Sequence, residues 1–169
     1  MPGEAPAVVL VGPPAAGKTR IGKRLAVLLG CEYHDTDKMV AADHGPIPEI
    51  FAREGEARFR EWEREAVQTA LGRGGVVSLG GGAVIREDTR EDLARHLVAQ
   101  ITISAEAVAP RLNNDKRPLL AGGLEAWVSL VAARQSWYDE VSGATFDASH
   151  RSTDDVAADI ARWLEGKAR

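Results

Sequence analysis

Residues 12–19 read GPPAAGKT, set between the apolar run AVVLV at 7–11 and the segment RIGKRLAVLLG, whose apolar residues recur at helical spacing. Gly12, Gly17, Lys18 and Thr19 satisfy G-x-x-x-x-G-K-[ST] in the order strand, loop, helix that the pattern requires. A loop of this kind turns backbone N–H groups and the start of the next helix toward a phosphate. Lys18 is expected to reach a γ-phosphate and the Thr19 hydroxyl to ligate magnesium. Pro13, Pro14, Ala15 and Ala16 fill the loop, and Arg20 follows it. The competing reading is an ordinary tight turn that happens to match. On the first reading the ligand is a nucleoside triphosphate with magnesium.

The rest of the chain suits that opening. Strand-length apolar runs at 7–11, 32–35, 75–79, 97–104 and 144–149 alternate with helical patterns at 18–29, 47–72, 87–95, 105–112, 123–140 and 153–166. Such alternation predicts a parallel sheet with helices on both faces. The first, third and fourth runs are the most continuously apolar and are expected at the sheet centre. Pro46 and Pro48 should divide the region 36–58, and the Asn, Asp, Pro and Gly cluster at 113–123 reads as a lid. A length of 169 residues predicts one domain, 1–169. The net charge of −4 argues against a nucleic-acid partner. A single cysteine, Cys31, excludes an internal disulfide, fits a reducing compartment and is expected as buried filler at a strand start. No secretory leader or membrane-length apolar run is visible, so a cytoplasmic protein is expected.

Four further features point to chemistry. HDTD at 34–37 puts Asp35 and Asp37 at the carboxyl end of the second strand, where open α/β sheets bind ligands. In extended backbone residues two apart point to one side, so the two carboxylates face the loop's mouth together, one for a magnesium water and one for an attacking hydroxyl; both read equally as turn or capping residues. In EARFREWEREAV the apolar face is Phe59, Trp62, Ala66 and Ala70, with Arg60 and Glu63 three apart on its flank and able to pair. In the later helix Leu124, Trp127, Val131 and Tyr138 form a stripe that Arg134 interrupts. An inward guanidinium needs a carboxylate or phosphate, or must snorkel to water. Gly80, Gly81 and Gly82 follow the third strand and allow close backbone approach to a ligand. Together these predict phosphoryl transfer to a small, anionic, hydroxylated molecule.

At this point the chain resembles the shikimate kinases. The resemblance runs over essentially the whole length: the phosphate loop, DTD at 35–37, GE at 55–56 followed by FR at 59–60, LGGGAV at 79–84, RPLL at 117–120, and AAR leading to WY at 132–138. It implies an ATP-dependent kinase that phosphorylates the 3-hydroxyl of shikimate on the route to aromatic amino acids. It implies a five-stranded parallel sheet of order 2-3-1-4-5, a substrate-binding segment near 36–64 and a lid near 111–123. By position, Lys18 and Arg117 would contact the transferring phosphoryl group, and Thr19 with Asp35 the magnesium. Asp37 would hold the shikimate hydroxyls, Arg60 and Arg134 its carboxylate, and Gly81 and Gly82 would offer backbone donors, with Gly80 beside them. Glu63 would orient an arginine, and Arg111 would stack on adenine. Ala15 stands where the family has glycine, and Arg20 where Thr or Ser often follows. A monomer is expected, with neither nucleic acid nor membrane as partner. Gluconate or nucleoside monophosphate kinases of similar fold remain rival readings. A non-catalytic sensor is a third, and it predicts loss of Lys18, Asp37 or Arg117, all of which are present.

Overall fold

A computed structural model describes residues 5–112 and 122–168. Five parallel strands, β1 (Val8–Val11), β2 (Tyr33–Asp35), β3 (Val76–Ser78), β4 (Val98–Thr102) and β5 (Ala144–Asp147), form one sheet in the order β2-β3-β1-β4-β5. The three expected central strands are central. Every residue of β1 and β3 is buried, whereas β5 alternates half-buried with exposed, as an edge strand should. Pairing of Val8 with Val76 and of Val9 with Val98 brings the carboxyl ends of β3, β1 and β4 to one edge.

The helices are α1 (Lys18–Leu29), α2 (Thr36–His44), α3 (Ile47–Leu71), α4 (Glu87–Leu93), α5 (Ala105–Val108), α6 (Gly123–Val141) and α7 (Thr153–Lys167). One core cluster joins α1, the start of α6 and α7 to a sheet face through Leu10, Leu25, Trp127 and Ile160. A second joins α3, α4 and the end of α6 to the other face through Val9, Val67, Leu93 and Tyr138. A third, smaller cluster of Val40, Ile50, Phe59 and Ala66 binds α2 to α3 outside the sheet.

Several boundaries differ from the sequence reading, each for a local reason. The nine residues of α2 were not expected as a helix; Asp35 starts it, its carboxylate accepting the Lys38 N–H at 3.2 Å. Pro46 and Pro48 divide the region as expected, but by starting α3, with proline at its first positions. Gly55, at φ 83°, kinks α3. The expected helix at 105–112 is a short α5 followed by a 3₁₀ turn, Ala109–Arg111. Cys31 is exposed, because the strand begins only at Tyr33 and the Cys31 N–H still closes the end of α1 on Ala26 O at 3.0 Å. Trp62 is half-buried and stacks on His44, ring centroids 3.7 Å apart, so it seals α2 to α3 and leaves the inward position to Glu63. Leu124 is exposed, and the inward line of α6 is Trp127, Arg134, Tyr138 and Val141. Among the described residues no helix is long and apolar enough to cross a membrane.

Candidate active site

A cleft of about 720 Å³ runs along the carboxyl edge of the sheet. The loop between β1 and α1 forms its floor from Pro14 to Arg20. Gly12 and Pro13 are buried behind that floor, and their carbonyls accept hydrogen bonds from Lys18 Nζ at 2.7 and 2.8 Å. The ammonium group is thereby fixed against the loop. Ala15 sits at φ 69°, in the left-handed region. A Cβ in that region costs about 1–2 kcal/mol, a cost that glycine would avoid. Two side chains from beyond the loop brace it. Arg111 Nη1 donates to Ala15 O at 3.0 Å and Trp127 Nε1 to Pro14 O at 2.9 Å.

Asp35 makes two contacts at the end of β2. It caps α2, and its Oδ2 accepts the Thr19 hydroxyl at 3.1 Å, so a hydroxyl and a carboxylate stand side by side at the loop's mouth. That pair fits magnesium, which takes few protein oxygens and completes its shell with phosphate and water. Asp37 lies in the first turn of α2, so the two-apart extended geometry expected for Asp35 and Asp37 is not what brings them together. They share the cleft because a helix begins where β2 ends.

Beyond the loop the cleft turns cationic. Arg60, 11% exposed at its side chain, donates from Nη1 to Glu63 Oε1 at 2.9 Å and from Nη2 to Glu56 Oε1 at 3.1 Å. Arg134 is 4% exposed, so it does not snorkel. Arg60 Nε and Arg134 Nη1 are buried with no hydrogen-bond partner among the described residues. Buried unsatisfied donors of this kind are uncommon, and two guanidinium groups lining one cleft are suited to a bound anion. The glycine run permits their approach: a Cβ on Gly80 would collide with Asp37 and crowd Glu63, and one on Gly82 would collide with the Arg60 guanidinium. Gly80 N–H is already given to Thr36 Oγ1 at 3.0 Å, whereas Gly81 and Gly82 line the cleft.

Glu63 is 2% exposed, and burial pushes its carboxyl up to about 7, against the pull of Arg60 and helped by the charge of Asp37. A proton held more tightly in the folded than in the unfolded chain stabilises the fold. That contribution is complete below the ordinary value of 4.5 and is lost as pH rises through about 7. Glu63→Gln does not titrate. The melting temperature of the unaltered chain should therefore fall relative to Glu63→Gln between pH 5 and pH 8, and parallel curves would contradict the assignment.

Sequence reasoning missed two walls. Ile47, Phe51 and Phe59 give the cleft an apolar side, although Phe59 was expected only as core. Arg151, Ser152 and Thr153 also line it, together with Arg111, which the sequence reading had already singled out. Residues just past the carboxyl end of β5 were candidates by the sheet-edge rule alone. Arg117 lies outside the described residues, as does most of the expected lid.

The sequence model of the family described as shikimate kinase matches residues 14–165. A shikimate kinase of Salinispora arenicola is 44% identical over 164 residues, which cover 95% of this chain and 98% of that one. The solved shikimate kinase of Acinetobacter baumannii, in complex with shikimate, superposes with a TM-score of 0.90 at 34% identity, covering 96% of this chain and 94% of that one. A gluconokinase structure from Sinorhizobium meliloti, covering 99% of this chain and 96% of that one, reaches 0.63 at 18% identity and so shares the fold alone.

Proposed function

This chain belongs to the shikimate kinase family, a family of ATP-dependent kinases, and from that premise we propose that its cleft transfers the γ-phosphoryl group of ATP to the 3-hydroxyl of shikimate through the residues gathered there. The observation that carries the assignment of parts is the pair of buried arginines, each with an unpartnered donor, at the far end of a cleft floored by the phosphate loop. Arg60 and Arg134 hold the carboxylate, Ile47, Phe51 and Phe59 cover the ring, and the hydroxyl edge is left facing Asp37 and Lys18. Arg111, Arg151 and Thr153 enclose the base.

The 3-hydroxyl oxygen bonds to the γ-phosphorus while the bond from that phosphorus to the β,γ-bridging oxygen breaks, ADP leaves, and the hydroxyl proton passes to Asp37. Lys18 neutralises charge on the transferring group, with Arg117 assigned beside it by family position. Thr19 and Asp35 would hold magnesium, which would supply charge neutralisation to the phosphates. The work of the protein is positioning, charge compensation and exclusion of water, the competing acceptor.

The apolar wall separates this reading from gluconate phosphorylation, since an open-chain polyol offers no ring to cover it. ADP release by the purified chain, measured with shikimate, gluconate and nucleoside monophosphates in turn, tests the proposal. Release should depend on shikimate; faster release with gluconate or a monophosphate would overturn it.

A further inference from the structure

Tyr138 is 1% exposed, belongs to the core cluster on the α3 side of the sheet, and does not line the cleft. Its hydroxyl nevertheless donates to the carbonyl of Gly81 at 2.6 Å, across 57 positions of sequence. One helical turn earlier on the same face of α6 stands Arg134, which does line the cleft and lies against that hydroxyl. A single phenol oxygen thus touches both the glycine run and an arginine assigned to the substrate carboxylate.

The consequence follows from peptide geometry. The bond between Gly81 and Gly82 is trans, as every described peptide is, so its C=O and N–H point in opposite directions. Holding the Gly81 carbonyl toward the core on Tyr138 turns the Gly82 N–H the other way, toward the cleft that Gly81 and Gly82 line. Glycine backbone has no Cβ to restrict it, so without such an anchor this peptide plane would rotate readily.

The geometry points to Tyr138 as a positioning residue for substrate recognition: its hydroxyl locks the Gly81–Gly82 peptide with a donor facing the carboxylate site and steadies Arg134 beside it. The inference rests on the site assignment proposed above. It makes recognition depend on a group that never meets the substrate. Burial pushes the Tyr138 hydroxyl up to about 12, with Arg134 opposing, so the proton needed for the bond to Gly81 stays in place at neutral pH.

Tyr138→Phe keeps the ring in its core and removes only the oxygen. The KM for shikimate should rise about tenfold, the size expected when one charge-assisted hydrogen bond is misdirected, while kcat and the KM for ATP stay within about twofold. Gln135→Ala is the control for a loosened helix, because Gln135 ties α6 to Gln100 of β4 at 2.8 Å, away from the cleft. It should leave the shikimate KM within about twofold. An unchanged KM in Tyr138→Phe, or an equal rise in Gln135→Ala, overturns the inference. Should Tyr138→Phe fail to fold, the unmodified chain decides the matter: shikimate titration should move the Gly82 amide proton resonance downfield, and an unmoved resonance overturns it. If Arg134→Lys also leaves shikimate binding intact, the site assignment itself fails; if only Tyr138→Phe is silent, the inference alone falls.

Discussion

Lys18→Ala is expected to lower kcat by at least a hundredfold while shikimate affinity changes by less than about twofold. The ammonium group is held on the carbonyls of Gly12 and Pro13 at 2.7 and 2.8 Å, so it stands ready at the loop before nucleotide arrives. In a loose phosphoryl transfer the negative charge spreads over the three outer oxygens of the moving group, and fixed positive charge there acts mainly in the transition state. Removing one such preorganised donor typically costs about 10²–10³ in kcat. The arginines assigned to the carboxylate lie at the other end of the cleft and keep their geometry. Steady-state ADP release and a calorimetric shikimate titration measure the two halves of this statement. A turnover within about tenfold of the unaltered chain would remove Lys18 from the chemistry.

The second large effect concerns shape at constant charge. Arg134→Lys keeps one positive charge on α6 but loses the planar fork that can meet a carboxylate with two parallel N–H bonds. Arg134 is 4% exposed, and its Nη1 has no partner among the described residues, so the side chain is placed for a ligand and poorly placed for water. Charge-assisted hydrogen bonds contribute about 1.5–3 kcal/mol, which is roughly 10- to 100-fold in affinity. The KM for shikimate should rise by that factor with the KM for ATP unchanged. Equal shikimate affinity in the two proteins would show that the carboxylate binds elsewhere.

Much of this is legible in the sequence. The loop motif located α1 and the cleft floor, and continuous apolar runs marked the three central strands. Arg134 announced itself by interrupting an apolar stripe, since a charge at an inward position needs a reason. Asp37 was placed in the right cleft by a wrong route. Extended spacing does not run through residue 37, because Asp35 caps a helix at Thr36, and a single carboxylate that both caps and bonds Thr19 has no distinct pattern in sequence.

The burial of Glu63 was hidden for a related reason. Trp62 is drawn off by His44, so counting it as inward placed Glu63 on a flank, whereas Phe59, Glu63, Ala66 and Ala70 share the buried face. The bonds from Arg111, Trp127 and Tyr138 to backbone carbonyls of the loop and the glycine run were invisible. They join residues 96, 113 and 57 positions apart, and only the tertiary packing brings them together.

On the proposed assignment, one sheet edge holds a triphosphate at one end and a ring carboxylate at the other, with the accepting hydroxyl between them. A crystal structure of the chain with shikimate and a non-hydrolysable ATP analogue tests it most directly. The carboxylate should lie between Arg60 and Arg134, with the 3-hydroxyl within hydrogen-bond reach of Asp37 and facing the terminal phosphate beside Lys18. Shikimate bound with its carboxylate away from both arginines, or seated outside this cleft, would contradict the account.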